Sequence, residues 1–292
     1  MPRKPLETNM ALLETKQVEQ FQRDGYVVIP DLLSDTELDH FQPLVRDAVA
    51  KRKRFDTRPL SEKSLYEQSF LQCMNLWEDF PAIKPLTFHP KVAQAAAELI
   101  GAPTVRLWHD QALFKEAGGR ETDPHQDLPY WTMTESDALT AWIPLTGSSE
   151  ENGCMGYLPG SHKNTERTFV DIFRRGDTSP EDQAKAILTG ELTFVEVPRG
   201  SVAFHHGLTA HGAMANRSQA TREVHTMIYF RDGMTRSAEG QHHAVDRADI
   251  QPGKPITSDV TPVAWPRSDL PPAPKAMELP EFLVKSGAFP QK

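Results

Sequence analysis

The sequence predicts a mainly β protein with flanking helices, built on a double-stranded β-helix core of the jelly-roll, cupin-like type. Helix-period segments occupy the first third of the chain, and short apolar segments typical of strands follow one another from about residue 104. Turns and long loops separate these segments, which favours an antiparallel jelly-roll over a parallel α/β sheet. We predict one domain over residues 1–292, with a helical part at about 15–101, a barrel core at about 104–232 and an irregular tail at about 233–292.

The helical part begins with a short helix over residues 18–23, followed by a strand over 26–30 that Pro30 ends. Ser34 and Glu37 form a capping-box pattern, and apolar residues at helical spacing then predict a long helix over 35–51. Pro43 falls inside that helix and is expected to kink or split it. Another helix is predicted over 90–100, where Gly101 ends it.

The barrel core is predicted from compact apolar segments bounded by turn residues. They lie at residues 105–109, 139–145, 192–197, 202–204 and 224–230. An N-cap serine and a first-turn proline, Ser179 and Pro180, predict an inserted helix to about residue 188. The proline-rich tail is expected to wrap the surface or to stay partly loose.

Composition narrows the classes of protein. A net charge of −8 and a pI near 5.8 argue against a nucleic-acid-binding protein, and the short basic cluster at residues 51–54 suits a solvated helix end. The two cysteines, Cys73 and Cys154, lack metal-type spacing and favour a reducing compartment. Because neither a signal-peptide pattern nor an apolar stretch of membrane-spanning length is present, we expect a cytoplasmic protein without membrane association. The sequence predicts no particular oligomeric state.

The strongest functional pattern is Pro124-His125-Gln126-Asp127. On a β-strand the side chains of residues i and i+2 leave the same face, so His125 and Asp127 can reach one point. With His211 downstream they supply the ligand set of the two-histidine, one-carboxylate facial triad, which is typical of non-haem Fe(II) and oxygen chemistry.

Such a triad leaves three positions open on an octahedral iron, enough for a bidentate 2-oxo acid and dioxygen. The distal carboxylate of the acid then needs a cationic partner. Arg222, on the apolar-alternating segment that follows the His211 region, is the best candidate. Arg217 lies nearer to His211 but falls in a turn and is expected to face solvent. Other histidines, His40, His89, His162, His242 and His243, are expected in polar helix, turn or loop positions without a functional role.

Several motifs, in a fixed order, resemble those of the phytanoyl-CoA dioxygenase family of Fe(II)- and 2-oxoglutarate-dependent oxygenases. The resemblance runs from about residue 18 to 232. It rests on the opening segment 21–30, on the motif at 124–127 with Tyr130-Trp131, on the turn and strand segment 151–162, and on the distal-histidine segment 200–218.

The resemblance implies that His125, Asp127 and His211 are the iron ligands and that Arg222 pairs with the 2-oxoglutarate carboxylate. It also implies that Gln111 and Trp142 line the cosubstrate pocket, although from the residues alone Gln111 equally suits an outward polar position and Trp142 plain core. Ala213 stands where the family often has serine, so one hydroxyl near the cosubstrate is missing. Related halogenases replace the acid by a small residue, and the presence of Asp127 therefore favours hydroxylation.

The expected activity is oxidation, most simply hydroxylation, of a C–H bond in a small organic metabolite or natural product, with Fe(II), 2-oxoglutarate and dioxygen required and succinate and CO2 as co-products. Two other interpretations stay open: a zinc hydrolase on the same three ligands, and a barrel that binds a ligand without catalysis. The substrate pocket is expected between residues 55 and 80, in the loop 129–136, at the inserted helix near Pro180 and in the tail from Met234.

Overall fold

Two antiparallel β-sheets face each other in the computed structural model, which describes residues 11–173, 179–278 and 281–290. The larger sheet has the strand order β1-β8-β5-β10-β3-β11, with β2 also paired to β3, and the smaller has the order β4-β9-β6-β7. The strands are β1 Tyr26–Ile29, β2 Leu71–Met74, β3 Val105–Phe114, β4 Thr122–His125, β5 Ala138–Pro144, β6 Met155–Tyr157, β7 Thr193–Val195, β8 Val202–His206, β9 His211–Ala213, β10 Val224–Arg231 and β11 Val263–Trp265.

The helices precede the core strands or lie between them. They are α1 Thr15–Asp24, α2 Asp35–Lys53, α3 Leu65–Ser69, α4 Leu76–Asp79, α5 Lys84–Thr87, α6 Pro90–Ile100, α7 Pro180–Ala184, α8 His243–Asp246 and α9 Glu281–Ser286, with 3-10 turns at Leu60–Glu62, Pro81–Ile83, Leu128–Tyr130 and Ser161–Lys163. Within the described ranges, none of these helices has the length and apolar character needed to cross a bilayer.

Helix α6 shows how the larger sheet is covered. It contacts strands β3, β5, β10 and β11 and buries its alanines together with Val92 and Leu99. Small alanine side chains let a helix approach a sheet closely, and the buried apolar area stabilises the contact by about 25 cal/mol per Å². Because helices cover the outer face of this sheet, its inner face is left to line a cavity.

Helix α2 has the predicted start, and Pro43 does not split it. Ser34 and Glu37 form the expected capping box, with the peptide N–H of Glu37 donating to Ser34 and the peptide N–H of Ser34 donating to Glu37. The helix nevertheless runs through Pro43 without being split. Pro43 is exposed, so the backbone carbonyl that loses its partner can be hydrated.

The jelly-roll expectation is confirmed, and the helix predicted at 90–100 has those bounds. Five strands of three or four residues, β2, β4, β6, β9 and β11, are additional to the predicted apolar segments. The tail, expected to wrap the surface or to stay partly loose, adds a strand to the larger sheet: β11 pairs with β3 and buries Ala264. Strands this short carry too few residues for a period of two to be recognised.

Candidate metal centre and cosubstrate cavity

A cavity of about 1400 Å³ lies between the two sheets. His125 and His211 line it from the smaller sheet, while Gln111, Thr140 and Trp142 line it from the larger one. The volume exceeds the 300–1,000 Å³ usual for small-molecule sites. It can therefore hold a cosubstrate and a second organic molecule together.

Two imidazoles face each other across the pairing of β4 with β9. His125 and His211 are register partners, and their ring centroids are 4.3 Å apart. Nδ1 of His125 donates to the carbonyl of Asp123 and Nδ1 of His211 donates to the carbonyl of Thr209, each at 2.8 Å. Because Nδ1 carries the proton in both rings, Nε2 of each is left with a free lone pair, the form that coordinates a metal.

Gly212 allows β9 to approach β4 this closely. A Cβ at this position would lie 2.8 Å from the backbone oxygen of Thr122, inside van der Waals contact. The glycine that follows His211 therefore helps to set the spacing between the two histidines.

Asp127 is the third member of the group, but a turn positions its carboxylate instead of the predicted strand. Strand β4 ends at His125, and Asp127 has helical backbone angles at the start of the 3-10 turn Leu128–Tyr130, so strand alternation does not place its carboxylate. A proline at residue 129 suits the first turn of that helix and cannot continue a strand ladder. Oδ1 of Asp127 lies 3.7 Å from Nε2 of His125 and 3.8 Å from Nε2 of His211.

The other carboxylate oxygen is held by the opposite sheet. Oδ2 of Asp127 accepts a hydrogen bond of 2.8 Å from the Thr140 hydroxyl and one of 3.2 Å from Nε2 of His205. Sequence reasoning missed both donors. Their signal is the register of the sheet, in which Thr140 pairs with His205, and no motif within the sequence shows that pairing.

Burial sets the protonation of these groups. It lowers the pKa of His125 and of His211 to about 4, so both rings are neutral at pH 7. Burial alone would raise the pKa of Asp127, but His211, His205 and His125 act against it and hold that pKa below its usual range. The site thus presents two neutral imidazoles and one carboxylate.

These three side chains fit a divalent metal. Their ligand atoms all lie within 4.8 Å of one another, and no second group of this kind occurs among the described residues. Nitrogen and oxygen donors on one side, with the remaining space open to the cavity, are the arrangement that Fe(II) takes in facial-triad sites.

Arg222 lines the same cavity and lies two residues before β10. Its guanidinium is 5.2 Å from the centre of the Trp142 ring and donates to the carbonyl of Gly153. No carboxylate pairs with it in the described part of the chain, and its Nε is buried without a partner. Burial lowers the pKa of Arg222 to about 10, which leaves it charged at pH 7. Arg217, by contrast, is exposed.

Gln111 and Trp142 also line the cavity. Gln111 therefore does not have the outward polar position considered above, and Trp142 is not only a core residue. Thr226 of β10 pairs with both residues, so the three side chains form one row across the sheet. Oε1 of Gln111 accepts from Nε2 of Gln72 at 2.7 Å, and no residue in the described part of the chain accepts from the amide nitrogen of Gln111, which can therefore donate into the cavity.

Two expectations about the cavity walls need correction. His242 and His243 are not free loop residues, because the tail folds back and places both rings on the cavity wall. Helix α7 does not line the cavity among the described residues; instead Ala184 packs with Leu158 and Ile172, while Phe169 and Phe173 form the wall. Of the other expected walls, part of each lines the cavity: residues within 64–74 of the segment 55–80, residues 129–132 of the loop 129–136, and residues 237–243 of the tail.

Comparison with known proteins agrees with this site. A family model described as phytanoyl-CoA dioxygenase matches residues 21–224. The Caenorhabditis elegans phytanoyl-CoA dioxygenase domain-containing protein 1 homolog is 27% identical over 256 residues, covering 72% of this chain and 88% of the relative. The ectoine dioxygenase of Bordetella parapertussis is 28% identical over 247 residues, covering 74% of this chain and 75% of the relative.

Among solved structures, the non-haem alpha-ketoglutarate-dependent carbocyclase SnoK from nogalamycin biosynthesis superposes with a TM-score of 0.71 at 28% identity, covering 86% of this chain and 96% of SnoK. The matched residues include His125, Asp127, His211 and Arg222. Both the predicted fold and the predicted enzyme class are confirmed. The chain belongs to the phytanoyl-CoA dioxygenase family, whose members are 2-oxoglutarate-dependent non-haem iron dioxygenases.

Proposed function

We propose that this dioxygenase hydroxylates a C–H bond of a small, uncharged organic molecule and that His125, Asp127 and His211 are its Fe(II) ligands. The observation that carries the proposal is the convergence of Nε2 of both histidines and Oδ1 of Asp127 at the cavity wall. Iron bound there would activate dioxygen for C–H oxidation while 2-oxoglutarate is converted to succinate and CO2.

The protein's own contribution is to orient each ligand before metal arrives. The carbonyls of Asp123 and Thr209 fix the two imidazole tautomers, and Thr140 with His205 occupies Oδ2 of Asp127. Oδ1 is then the oxygen left to coordinate. Hydrogen bonds of this kind to metal ligands change metal affinity by about 10–100-fold.

We propose that Arg222 binds the distal carboxylate of 2-oxoglutarate, with Trp142 beneath the guanidinium and Gln111 donating to the cosubstrate from the same row. Arg222 supports this role because it is a buried cation without a carboxylate partner in the described chain. An unpaired buried charge is costly, and a bound carboxylate would remove that cost.

The remaining cations of the cavity do not favour a charged substrate. Besides Arg222, the described walls carry Lys53 and Arg167. Lys53 donates to the carbonyl of Ser286, and Arg167 donates to the three carbonyls of Met133, Thr134 and Glu135. An acyl-CoA would bring several phosphate charges without matching partners, so we infer an uncharged metabolite or natural product.

The test is succinate formation from 2-oxoglutarate by the purified protein. We expect slow conversion that requires both Fe(II) and air, even without the organic substrate, and none in Asp127→Ala. Zinc retained in place of iron, with esterase or amidase activity and without succinate, would overturn the proposal in favour of a hydrolase. A metal-free protein that binds small molecules without turnover would favour the binding barrel instead.

We also propose that the whole chain forms one oxygenase domain and works in the reducing cytoplasm. The compartment is supported by Cys73 and Cys154, which are both buried and unpaired with one another. Mass spectrometry of the protein from its native cells, with and without reduction, tests this: a disulfide would contradict it.

A further inference from the structure

Three imidazoles gather on the cavity wall away from the metal site. His109 lies on β3, and His242 and His243 lie at the start of α8. The ring of His242 is 4.3 Å from that of His243, and His109 is 5.6 Å from each. All three line the cavity, and none takes part in binding iron or 2-oxoglutarate as proposed above.

Hydrogen bonds fix the proton on two of these rings. Nδ1 of His242 accepts from the peptide N–H of Ala244 at 3.2 Å, so the proton of His242 is on Nε2. The side-chain amide Nδ2 of Asn75 donates to Nε2 of His243 at 3.1 Å, so the proton of His243 is on Nδ1. Neither of these N–H groups has a hydrogen-bond partner within the described chain. Nδ1 of His109 is buried and also lacks a partner.

The cluster is uncharged and does not form a metal site. Burial lowers the pKa of His109 to about 4, and burial with the neighbouring imidazoles lowers those of His242 and His243. The ligand atoms of the three rings do not converge as those of the iron site do, in a search confined to the described residues. Two neutral N–H donors on a wall that also carries the carboxylate of Glu239 suit a neutral oxygen acceptor better than an anion.

The register of the larger sheet places this cluster relative to the metal. Ile228 of β10 pairs with His109 on one side and with Thr140 on the other. His109 therefore lies two strands, about 10 Å, from the threonine that holds Asp127. Aromatic side chains also line this cavity: Tyr66, Phe70, Tyr130, Phe169 and Phe173.

From this arrangement we propose that His242 and His243, backed by His109, form a substrate-recognition subsite that donates two hydrogen bonds to a neutral oxygen of the substrate. The ligand class is an uncharged molecule with an apolar or aromatic body and a carbonyl, ether or hydroxyl oxygen at the end distant from the oxidised C–H bond. This inference rests on the proposed function, which identifies the end of the substrate that is oxidised as the end near the metal site.

A probe set of one ring skeleton tests this inference: 1-tetralone as the neutral ketone, tetralin without the oxygen, and 1-naphthoate as the anion. Binding is measured by equilibrium dialysis to the anaerobic protein loaded with Fe(II) and 2-oxoglutarate. Since one neutral hydrogen bond changes affinity by about two- to tenfold, we expect the ketone to bind about tenfold more tightly than tetralin and also more tightly than 1-naphthoate.

Two variants locate the preference. His242→Asn keeps a side-chain acceptor for the peptide N–H of Ala244 but loses the Nε2 donor. His243→Phe keeps the ring beside Phe289, which lies 5.8 Å away, but loses the Nδ1 donor. Each variant should lower the ketone-to-tetralin ratio by about two- to tenfold. His40→Asn, at an exposed position outside the cavity, is the matched control and should leave the ratio unchanged.

Equal binding of ketone and tetralin by the wild-type protein, tightest binding of 1-naphthoate, or an unchanged ratio in both folded variants would overturn the inference. The visible band that 2-oxoglutarate gives with bound iron is recorded on the same samples. If that band is present and the ketone preference is absent, the subsite is wrong and the function stands. If the preference is present and the band is absent, the proposed function fails instead.

Discussion

Thr140 donates a hydrogen bond of 2.8 Å to Oδ2 of Asp127 and so joins the two sheets at the metal site. Thr140 belongs to β5 of the larger sheet, whereas His125 and His211 belong to β4 and β9 of the smaller one. Asp127 follows β4 and meets Thr140 across the cavity. The orientation of the carboxylate therefore depends on how the sheets face each other.

Replacement of Thr140 by valine should weaken Fe(II) binding by about 10–100-fold, because Oδ2 of Asp127 loses one of its two donors and the carboxylate can rotate. Thr140→Ser retains the hydroxyl and serves as the control. Anaerobic Fe(II) titration measures the affinity of each variant. Equal affinity in Thr140→Val and wild type would show that this hydrogen bond does not orient the ligand.

Arg222→Ala should weaken 2-oxoglutarate binding by at least about 30-fold, the usual effect of removing one partner of a buried charge pair, while Fe(II) stays bound. Arg217→Ala removes an exposed guanidinium of the same charge and should have no effect. Isothermal titration of the anaerobic iron-loaded proteins with 2-oxoglutarate separates the two. If the Arg217 variant alone lost affinity, the roles of the two arginines would be reversed.

Trp142 supports the Arg222 guanidinium with its ring face at 5.2 Å. A buried cation–π contact contributes about 0.5–2 kcal/mol, so Trp142→Leu should lower the affinity for 2-oxoglutarate by roughly two- to thirtyfold. Trp142→Phe keeps an aromatic face and should lose less. The same titration decides the matter, and an unchanged affinity in the leucine variant would assign Trp142 to packing alone.

Glu78 lies on α4, is not among the residues that line the cavity, and makes the stability of the fold depend on pH. Burial raises its pKa to about 7, against the opposing effect of Arg247, whose Nη1 donates to the carboxylate at 2.9 and 3.0 Å. A carboxyl group whose pKa is higher in the folded state stabilises the fold while protonated. That contribution is complete below pH 4.5 and is lost as the pH rises through about 7.

The measurement compares the free energy of unfolding of the wild type with that of Glu78→Gln across this range, by urea denaturation. The difference between wild type and variant should fall from about pH 4.5 to about pH 7 and be constant above it. A difference that stays constant over the whole range would mean that Glu78 titrates normally in the folded protein.

The sequence was sufficient for the residues that a local motif contains. His125, His211 and Arg222 were found from their spacing and strand context, and the structure brings them to one cavity. Asp127 was found for a partly wrong reason, since it lies on a turn after the strand. The H-x-D spacing still identified the correct residue. The turn that contains Pro129 places the carboxylate of Asp127 near the two histidines, which is where strand alternation was expected to place it.

Residues whose position depends on contacts between distant segments of the chain could not be predicted from the sequence. Thr140 and His205 act together only because β5 pairs with β8, a contact between segments about sixty residues apart. His242 and His243 were predicted to be loop histidines because nothing in the neighbouring sequence shows that the tail folds back to the cavity. Helix α6 was predicted well because its apolar period and its glycine end lie within eleven residues.

The central claim is that His125, Asp127 and His211 hold Fe(II) beside a 2-oxoglutarate site anchored by Arg222. Visible absorption spectroscopy under anaerobic conditions tests it most directly, because 2-oxoglutarate chelated to Fe(II) gives a weak charge-transfer band that neither component gives alone. We predict that the band appears when 2-oxoglutarate is added to the iron-loaded wild type and is absent in His211→Ala. An iron-loaded wild-type protein that shows no band at saturating 2-oxoglutarate would contradict the account.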